Sequence, residues 1–245
     1  MIFCVKLAIL IVVLYFTLRF VFRLRKYCKK SYRRFKSSKM NRLSSKKYHP
    51  QPAKTLVVLG SGGHTAEMLM LLNQITPLVE YKEHKQGSKC PLLSFVAASS
   101  DDLASKKIDH WNLDHKIPYN LFNIPRARHV GESFFHCIPR FILSLFHSFY
   151  VILKIRPDVL LVNGPGTCVP IVFLSHILSI LGLSSTSIVF VESFCRTKSI
   201  SLSLCMCAPF CDKVLFPWKL EPSSLKWFHR LSLSLTSYKY INGLL

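Results

Sequence analysis

The sequence predicts an α/β chain: one doubly wound parallel-sheet domain over about residues 54–218, behind a single N-terminal transmembrane helix. Three observations predict it. Apolar, β-branched runs alternate with segments of helical spacing. Those runs are continuous rather than period-two, as in strands covered on both faces. The N-terminus carries a long apolar stretch followed by a dense basic run. Half of the 245 residues are hydrophobic and 18% are charged, which supplies a core and excludes a wholly disordered chain. Collagen-like and disulfide-dense compositions are excluded too.

Ile2 to Phe22 is apolar apart from Lys6 and Arg19, which lie near its ends where long side chains snorkel to the interface. Residues 2–22 are read as a transmembrane anchor; a cleaved signal peptide and an interfacial helix are the alternatives. A signal peptide carries its positive charge ahead of the apolar run and small residues after it. Here the charge follows, and Phe20-Val-Phe-Arg23 stands at the junction. Of the 33 Lys and Arg, 15 precede Glu67, the first acidic residue, so the net charge of +21 belongs mostly to the N-terminal quarter. Residues 23–53 form a basic juxtamembrane linker. Positive flanks stay cytosolic and attract anionic headgroups, which places the globular domain on the cytosolic side. No nucleic-acid partner is expected: the run contains no recognised module, and Tyr27, Tyr32, Phe35 and Tyr48 are too few for a stacking platform.

The elements follow in order. Thr55-Leu-Val-Val-Leu59 reads as a strand, Gly60-Ser-Gly-Gly63 as a turn, and Ala66, Leu69, Leu72 and Ile75 as helical spacing. Residues 80–91 are polar and loop-like. A second strand is expected at Leu92–Ala98, with Asp101 or Asp102 capping a short helix, and a third near Tyr119–Ile124. The apolar stretch Phe134–Ile155 has three readings: a crossover helix on the sheet, a helix whose aromatic side (Phe134, Phe135, Phe141, Phe146, Phe149, Tyr150) also lies on a membrane, or a second span. Asp158–Val162 and Ser187–Val191 read as buried strands, with a helix over Val169–Leu181 between them. Residues 219–245 are a serine- and leucine-rich tail. The nine cysteines are odd in number and hold no C-x-x-C pair, as expected of reduced thiols; Cys205, Cys207 and Cys211 lack a partner set for zinc. No metal and no cofactor are expected.

In an open parallel sheet, ligands bind outside the carboxyl ends of the strands. The segments that follow the predicted strands are Gly60-Ser-Gly-Gly-His-Thr65, Ser99-Ser-Asp-Asp102, Asn163-Gly-Pro-Gly-Thr167 and Glu192-Ser-Phe-Cys-Arg196. Polar and glycine residues thus gather on one edge. A glycine turn opening a helix suits a phosphate or diphosphate, because it offers close backbone approach and unpaired N–H groups. It is not a Walker loop, since no Gly-Lys-Ser/Thr follows, and Thr65 stands where a third glycine of G-x-G-x-x-G would fall. The bland alternative is a tight βα turn. His64 either bonds a phosphate oxygen or caps the helix. Glu192 either holds a sugar hydroxyl, pairs with Arg196 or Lys198, or acts as a base. The Asn163–Thr167 loop is either a ligand loop or a proline-shaped turn.

Three motifs, in this order, resemble one known family: Val58-Leu-Gly-Ser-Gly-Gly-His-Thr-Ala-Glu-Met68, Val162-Asn-Gly-Pro-Gly-Thr-Cys-Val-Pro-Ile171 and Val191-Glu-Ser-Phe-Cys-Arg-Thr-Lys-Ser-Ile-Ser-Leu202. The chain is similar to the membrane subunit of the eukaryotic UDP-N-acetylglucosamine transferase, the asparagine-linked glycosylation fourteen family, over about residues 1–204. The resemblance implies a Rossmann-like fold, the N-terminal half of a two-domain (GT-B) glycosyltransferase, on the cytosolic face of the endoplasmic reticulum. It implies a soluble UDP-GlcNAc-binding subunit as partner, and the preceding GlcNAc-phosphate transferase of the pathway as a further one. The acceptor is then GlcNAc-diphospho-dolichol, to which the complex adds the second GlcNAc for protein N-glycosylation. By the same resemblance Gly60, Ser61, Gly62, Gly63, His64 and Thr65 face the acceptor diphosphate. Asn163, Gly164, Pro165, Gly166, Thr167, Glu192 and Arg196 line the acceptor cleft. Glu192 and His64 are the candidates for catalytic base, and the Phe134–Ile155 helix docks on the bilayer. After Leu204 the chain departs from the family pattern, in the region where the partner is expected to dock, with Lys213–Trp218 as the equivalent strand. A non-catalytic adaptor with a decayed site and a self-sufficient lipid-diphosphate glycosyltransferase are the competing functions.

Overall fold

Every strand pair is parallel, so neighbouring strands join only through crossovers, and the described crossover helices cover the sheet. The computed structural model describes residues 53–75, 93–99, 101–127, 137–164, 166–219 and 238–240. The expected anchor and basic linker, the 80–91 loop, Phe134, Phe135 and Pro165 lie outside the described residues.

The elements are β1 (Thr55–Val58), α1 (Gly63–Ile75), β2 (Leu93–Ala98), α2 (Asp102–His115), β3 (Tyr119–Ile124), α3 (Ile138–Ile155), β4 (Val159–Val162), α4 (Cys168–Ile180), β5 (Ser187–Val191), α5 (Leu202–Cys207), a 3₁₀ turn at Ala208–Phe210, β6 (Lys213–Phe216) and β7 (Tyr238–Tyr240). The strand order is β3-β2-β1-β4-β5-β6-β7. The first six strands follow the doubly wound order, in which the direction of winding reverses between β1 and β4. The predicted parallel α/β sheet is therefore present, with a seventh strand on its far edge.

Each strand serves two cores because side chains alternate faces. Leu56 and Val58 of β1 join Leu160, Val162, Ile188, Phe190 and Val214 beneath α3, α4 and α5. Val57 and Leu59 join Leu93, Phe95 and Leu161 beneath α1 and α2, where Met68, Leu72, Ile108 and Trp111 are buried. This two-sided burial is why the strands read as unbroken apolar runs. Fully burying one such aliphatic side chain is worth about 1.5–3 kcal/mol.

The helix after β1 begins at Gly63, three residues before the spacing in the sequence becomes visible. The glycine turn thus supplies the first helical residues. Helix α3 joins β3 to β4 of the same sheet and buries Ser144, Ser148, Val151, Ile152 and Ile155. It is the crossover helix. By length and composition it also passes as a membrane span, and only 28% of it is buried. Ile142, Leu143, Phe146, Phe149, Tyr150 and Leu153 are exposed on its outer side. Beyond Ser201, whose hydroxyl accepts from Leu204 N at 3.1 Å as a helix cap, the chain continues the same pattern through α5 and β6. Cys205 and Cys207 lie on α5. Cys168, Cys207 and Cys211 are buried in the core, and none of the six described cysteines is in a disulfide. Burial pushes the Cys168 and Cys211 thiols well above their ordinary range and Cys205 up to about 11. Among the described residues no group of three His, Cys, Asp or Glu is placed to hold a metal.

Candidate functional site

Register places the site. Val58 pairs with Val162, and Val162 with Phe190. Two residues further on, Gly60, Gly164 and Glu192 fall on one level at the carboxyl edge, where the winding reverses. The β1–α1, β4–α4 and β5–α5 loops meet there, although 96 to 126 residues separate their bonded partners.

The first loop is a tight turn. Gly62 holds φ +66°, a left-handed conformation that suits glycine, and a Cβ there would meet nothing within 4 Å. The Gly62 carbonyl accepts from Lys107 Nζ of α2 at 3.0 Å. Thr65 is buried, and its hydroxyl donates back to the Gly60 carbonyl, so it closes the turn rather than facing outward. Ser61 and Gly63 are exposed. The first N–H groups of α1 therefore stand at the edge with the partial positive charge of a helix N-terminus.

His64 is 36% exposed, and its ring reaches the second loop. Its Nδ1 lies 3.3 Å from Asn163 Oδ1 and 3.5 Å from Glu67 Oε2. Gly164, at φ +58°, passes beneath the ring; a Cβ there would stand 3.3 Å from His64 Cε1. Glycine at 164 is thus required twice, by its backbone and by its neighbour. Gly166 is exposed, and Thr167 opens α4 with its Oγ1 buried and without a hydrogen-bond partner. A second helix N-terminus thereby stands beside the first.

Glu192 is fully buried. Its Oε1 accepts from Ser193 N at 2.9 Å and its Oε2 from Ser201 N at 2.8 Å. These bonds fold residues 193–201 back over the end of β5. Burial raises its carboxyl above the ordinary value of 4.5, and the N–H donors and the Arg196 charge oppose that rise. Arg196 is exposed and donates to Ser199 Oγ at 3.4 Å. Of the residues singled out from the sequence, His64, Asn163 and Gly164 come into direct contact across loops, and Thr65 bonds Gly60 within its own turn. The Arg196 side chain bonds Ser199 within its own loop, and Ser99 and Asp101 stand after β2, outside this network.

The residue that ties the loops together was not singled out. Glu67, one turn along α1 from His64, accepts from Asn163 Nδ2 at 3.0 Å and from Ser193 Oγ at 2.8 Å. The signal available was its i+3 spacing from His64, which puts both on one helix face.

Residues 55–228 match the family model described as "Oligosaccharide biosynthesis protein Alg14 like". The chain belongs to the Alg14 family. The match continues past Leu204 through α5 and β6, further than the sequence motifs alone reach. A Candida albicans protein named UDP-N-acetylglucosamine transferase subunit ALG14 is 32% identical over 177 residues, covering 72% of this chain and 76% of its own. The Schizosaccharomyces pombe protein of that name is 39% identical, covering 73% and 81%, and the human one is 36% identical, covering 60% and 67%. Among solved structures, Acinetobacter baumannii MurG aligns with a TM-score of 0.46 at 13% identity, covering 68% of this Alg14-family chain and 42% of that one.

Proposed function

We propose that this chain is the membrane-bound acceptor half of a split UDP-N-acetylglucosamine transferase. It recruits a soluble subunit that binds UDP-GlcNAc to the cytosolic face of the endoplasmic reticulum. The pair transfers GlcNAc to GlcNAc-diphospho-dolichol, and this chain alone is inactive. The observation that carries the reading is the crevice at the β1/β4 switch point, where the N-termini of α1 and α4 stand side by side in an Alg14-family chain. The exposed N-terminus of α1 suits a phosphate of the acceptor diphosphate at little desolvation cost, with the Asn163–Thr167 loop beside it. Lys107 Nζ beside the glycine turn adds a cation. The described residues form one doubly wound sheet, whereas a GT-B site needs a second domain as the facing wall; the soluble partner supplies it.

The lipid tail of the acceptor calls for a nearby bilayer. The outer side of α3 supports that contact, with Phe146 69% and Tyr150 59% exposed beside Arg140 and Lys154. An apolar helix face with cationic neighbours lies at an anionic membrane surface. Phe146→Glu should therefore lower transfer to a long-chain acceptor, leaving transfer to a short-chain, soluble acceptor within about twofold, because only the long-chain acceptor draws on the membrane contact.

The deciding experiment is transfer of GlcNAc from UDP-GlcNAc to a short-chain GlcNAc-diphospho-lipid by membranes carrying this chain, with and without a cytosolic extract. Activity only with the extract is expected. Activity without it, in membranes free of the partner, would mean a complete site in this chain and would overturn the reading.

A further inference from the structure

Glu67 is the only carboxylate of this network that faces all three loops, and its chemistry fixes the proton positions around it. An ionised carboxylate only accepts hydrogen bonds. Asn163 therefore turns its Nδ2 toward Glu67 Oε2, at 3.0 Å, and this leaves Asn163 Oδ1 facing His64 Nδ1 at 3.3 Å. The same His64 nitrogen lies 3.5 Å from Glu67 Oε2. Flanked by two acceptors, Nδ1 must carry the ring's hydrogen. The lone pair of the neutral ring then sits on Nε2, which has no hydrogen-bond partner among the described residues. The other carboxylate oxygen is held by Ser193 Oγ at 2.8 Å, and Ser193 Oγ itself accepts from Cys195 N at 3.3 Å, so the carboxylate cannot rotate away.

We propose that Glu67 is a positioning residue for the transfer reaction: through Asn163 it holds His64 in the tautomer whose Nε2 accepts from a substrate hydroxyl. This rests on the proposed function. It also refines the place of His64 in the site. A neutral ring with its lone pair outward repels a phosphate oxygen and suits an O–H donor, the acceptor sugar hydroxyl. In the transfer that hydroxyl's oxygen bonds to the anomeric carbon, the bond from that carbon to UDP breaks, and the hydroxyl proton passes to Nε2. The resulting imidazolium keeps Nδ1–H toward Asn163 and the Glu67 carboxylate. The role parallels other sites where a carboxylate acts by fixing a histidine's tautomer.

The test uses the full chain in complex with its soluble partner, UDP-GlcNAc and a GlcNAc-diphospho-lipid. Glu67→Ala should lower kcat by about 10- to 100-fold, the usual range for residues that orient a functional histidine, and move KM for the lipid acceptor by less than about threefold. Glu67→Gln keeps the volume but accepts one hydrogen bond fewer, and should lower kcat by about tenfold at an unchanged melting temperature. In the full wild-type chain, the 15N ring resonances assigned to His64 (by their loss in His64→Gln) should show Nδ1 protonated and Nε2 unprotonated at alkaline pH. Glu67→Ala should mix the two tautomers. Nε2–H in the wild-type ring, or a rise in KM at unchanged kcat, would overturn the proposal. Loss of folded chain with unchanged kcat per complex would do so too. If the wild-type complex transfers no GlcNAc, the proposed function fails, and the ring nitrogens still decide what Glu67 does to His64.

Discussion

The two edges of the sheet are both polar, and they spend their polar groups differently. At the amino edge the groups pair among themselves and lock strands together. Lys54 N donates to Asp158 Oδ2 at 3.0 Å, Thr186 Oγ1 to the Pro157 carbonyl at 2.7 Å, and Ile188 N to Asp212 Oδ2 at 2.9 Å. At the carboxyl edge, Thr167 Oγ1 is buried without a partner, His64 Nε2 is unbonded among the described residues, and Ser61 and Gly63 at the start of α1 are exposed. Buried polar groups are ordinarily satisfied. In the proposed function, Thr167 Oγ1 and His64 Nε2 are the groups at this edge that a bound acceptor would satisfy.

Two glycines put that contrast to its largest test. Gly164 at the carboxyl edge and Gly182 at the opposite end of α4 both hold positive φ, +58° and +75°. Alanine at either site costs about 1–2 kcal/mol of backbone strain. Only at Gly164 does the new Cβ also press on His64 Cε1, at 3.3 Å. Gly164→Ala should therefore cut GlcNAc transfer by about 10- to 100-fold per folded complex, as small displacements of positioned groups do. Gly182→Ala should cost similar stability with transfer within about twofold. Equal losses of transfer in the two variants would erase the distinction between the edges.

The amino edge should fail in the complementary way. Asp158 accepts from Lys54 N, and its carbonyl accepts from Ser187 N at 2.8 Å, so it splices β4 to the starts of β1 and β5. Asp158→Ala removes the side-chain bond and should cost about 1 kcal/mol. A domain of this size then melts about 2–4 °C lower. Transfer per folded complex should be unchanged. A drop in transfer without a drop in melting temperature would mean that this edge, too, reaches the site.

The sequence made the edges legible before it made the contacts legible. Continuous apolar runs bounded by Gly60, Asn163 and Glu192 marked the strands, and the rule for open parallel sheets then named the ligand edge. Gly164 could be placed in a loop but not beneath His64, because that contact exists only once β1 and β4 are neighbours. Glu67 could be placed on the His64 face of α1 but not against Asn163 and Ser193, for the same reason: those partners lie 96 and 126 residues away. The start of α1 at Gly63 was hidden because glycine carries no side chain to continue the helical spacing. The strand at Tyr238–Tyr240 was unreadable because an exposed three-residue edge strand carries no apolar run.

Glu192 carries the smallest effect and the one that bears most on which edge it serves. It stands at the carboxyl edge but is satisfied as the amino-edge groups are, with both oxygens on backbone N–H donors. Burial nevertheless raises its carboxyl above the ordinary 4.5. A carboxyl whose folded value lies above its unfolded one contributes fully below the unfolded value, and that contribution is lost as pH rises through the folded value. Glu192→Gln does not titrate, so the melting temperature of the variant minus that of the wild type should be constant below about pH 4 and climb toward neutral pH. The sign separates two roles. A glutamate solvated by the crevice would have no raised value, and the difference would stay flat. A climbing difference, with transfer by Glu192→Gln within about threefold, makes Glu192 the anchor of the 193–201 loop and leaves His64 as the proton acceptor of the pair. A loss of transfer as large as that of Glu67→Ala would return Glu192 to the candidate bases.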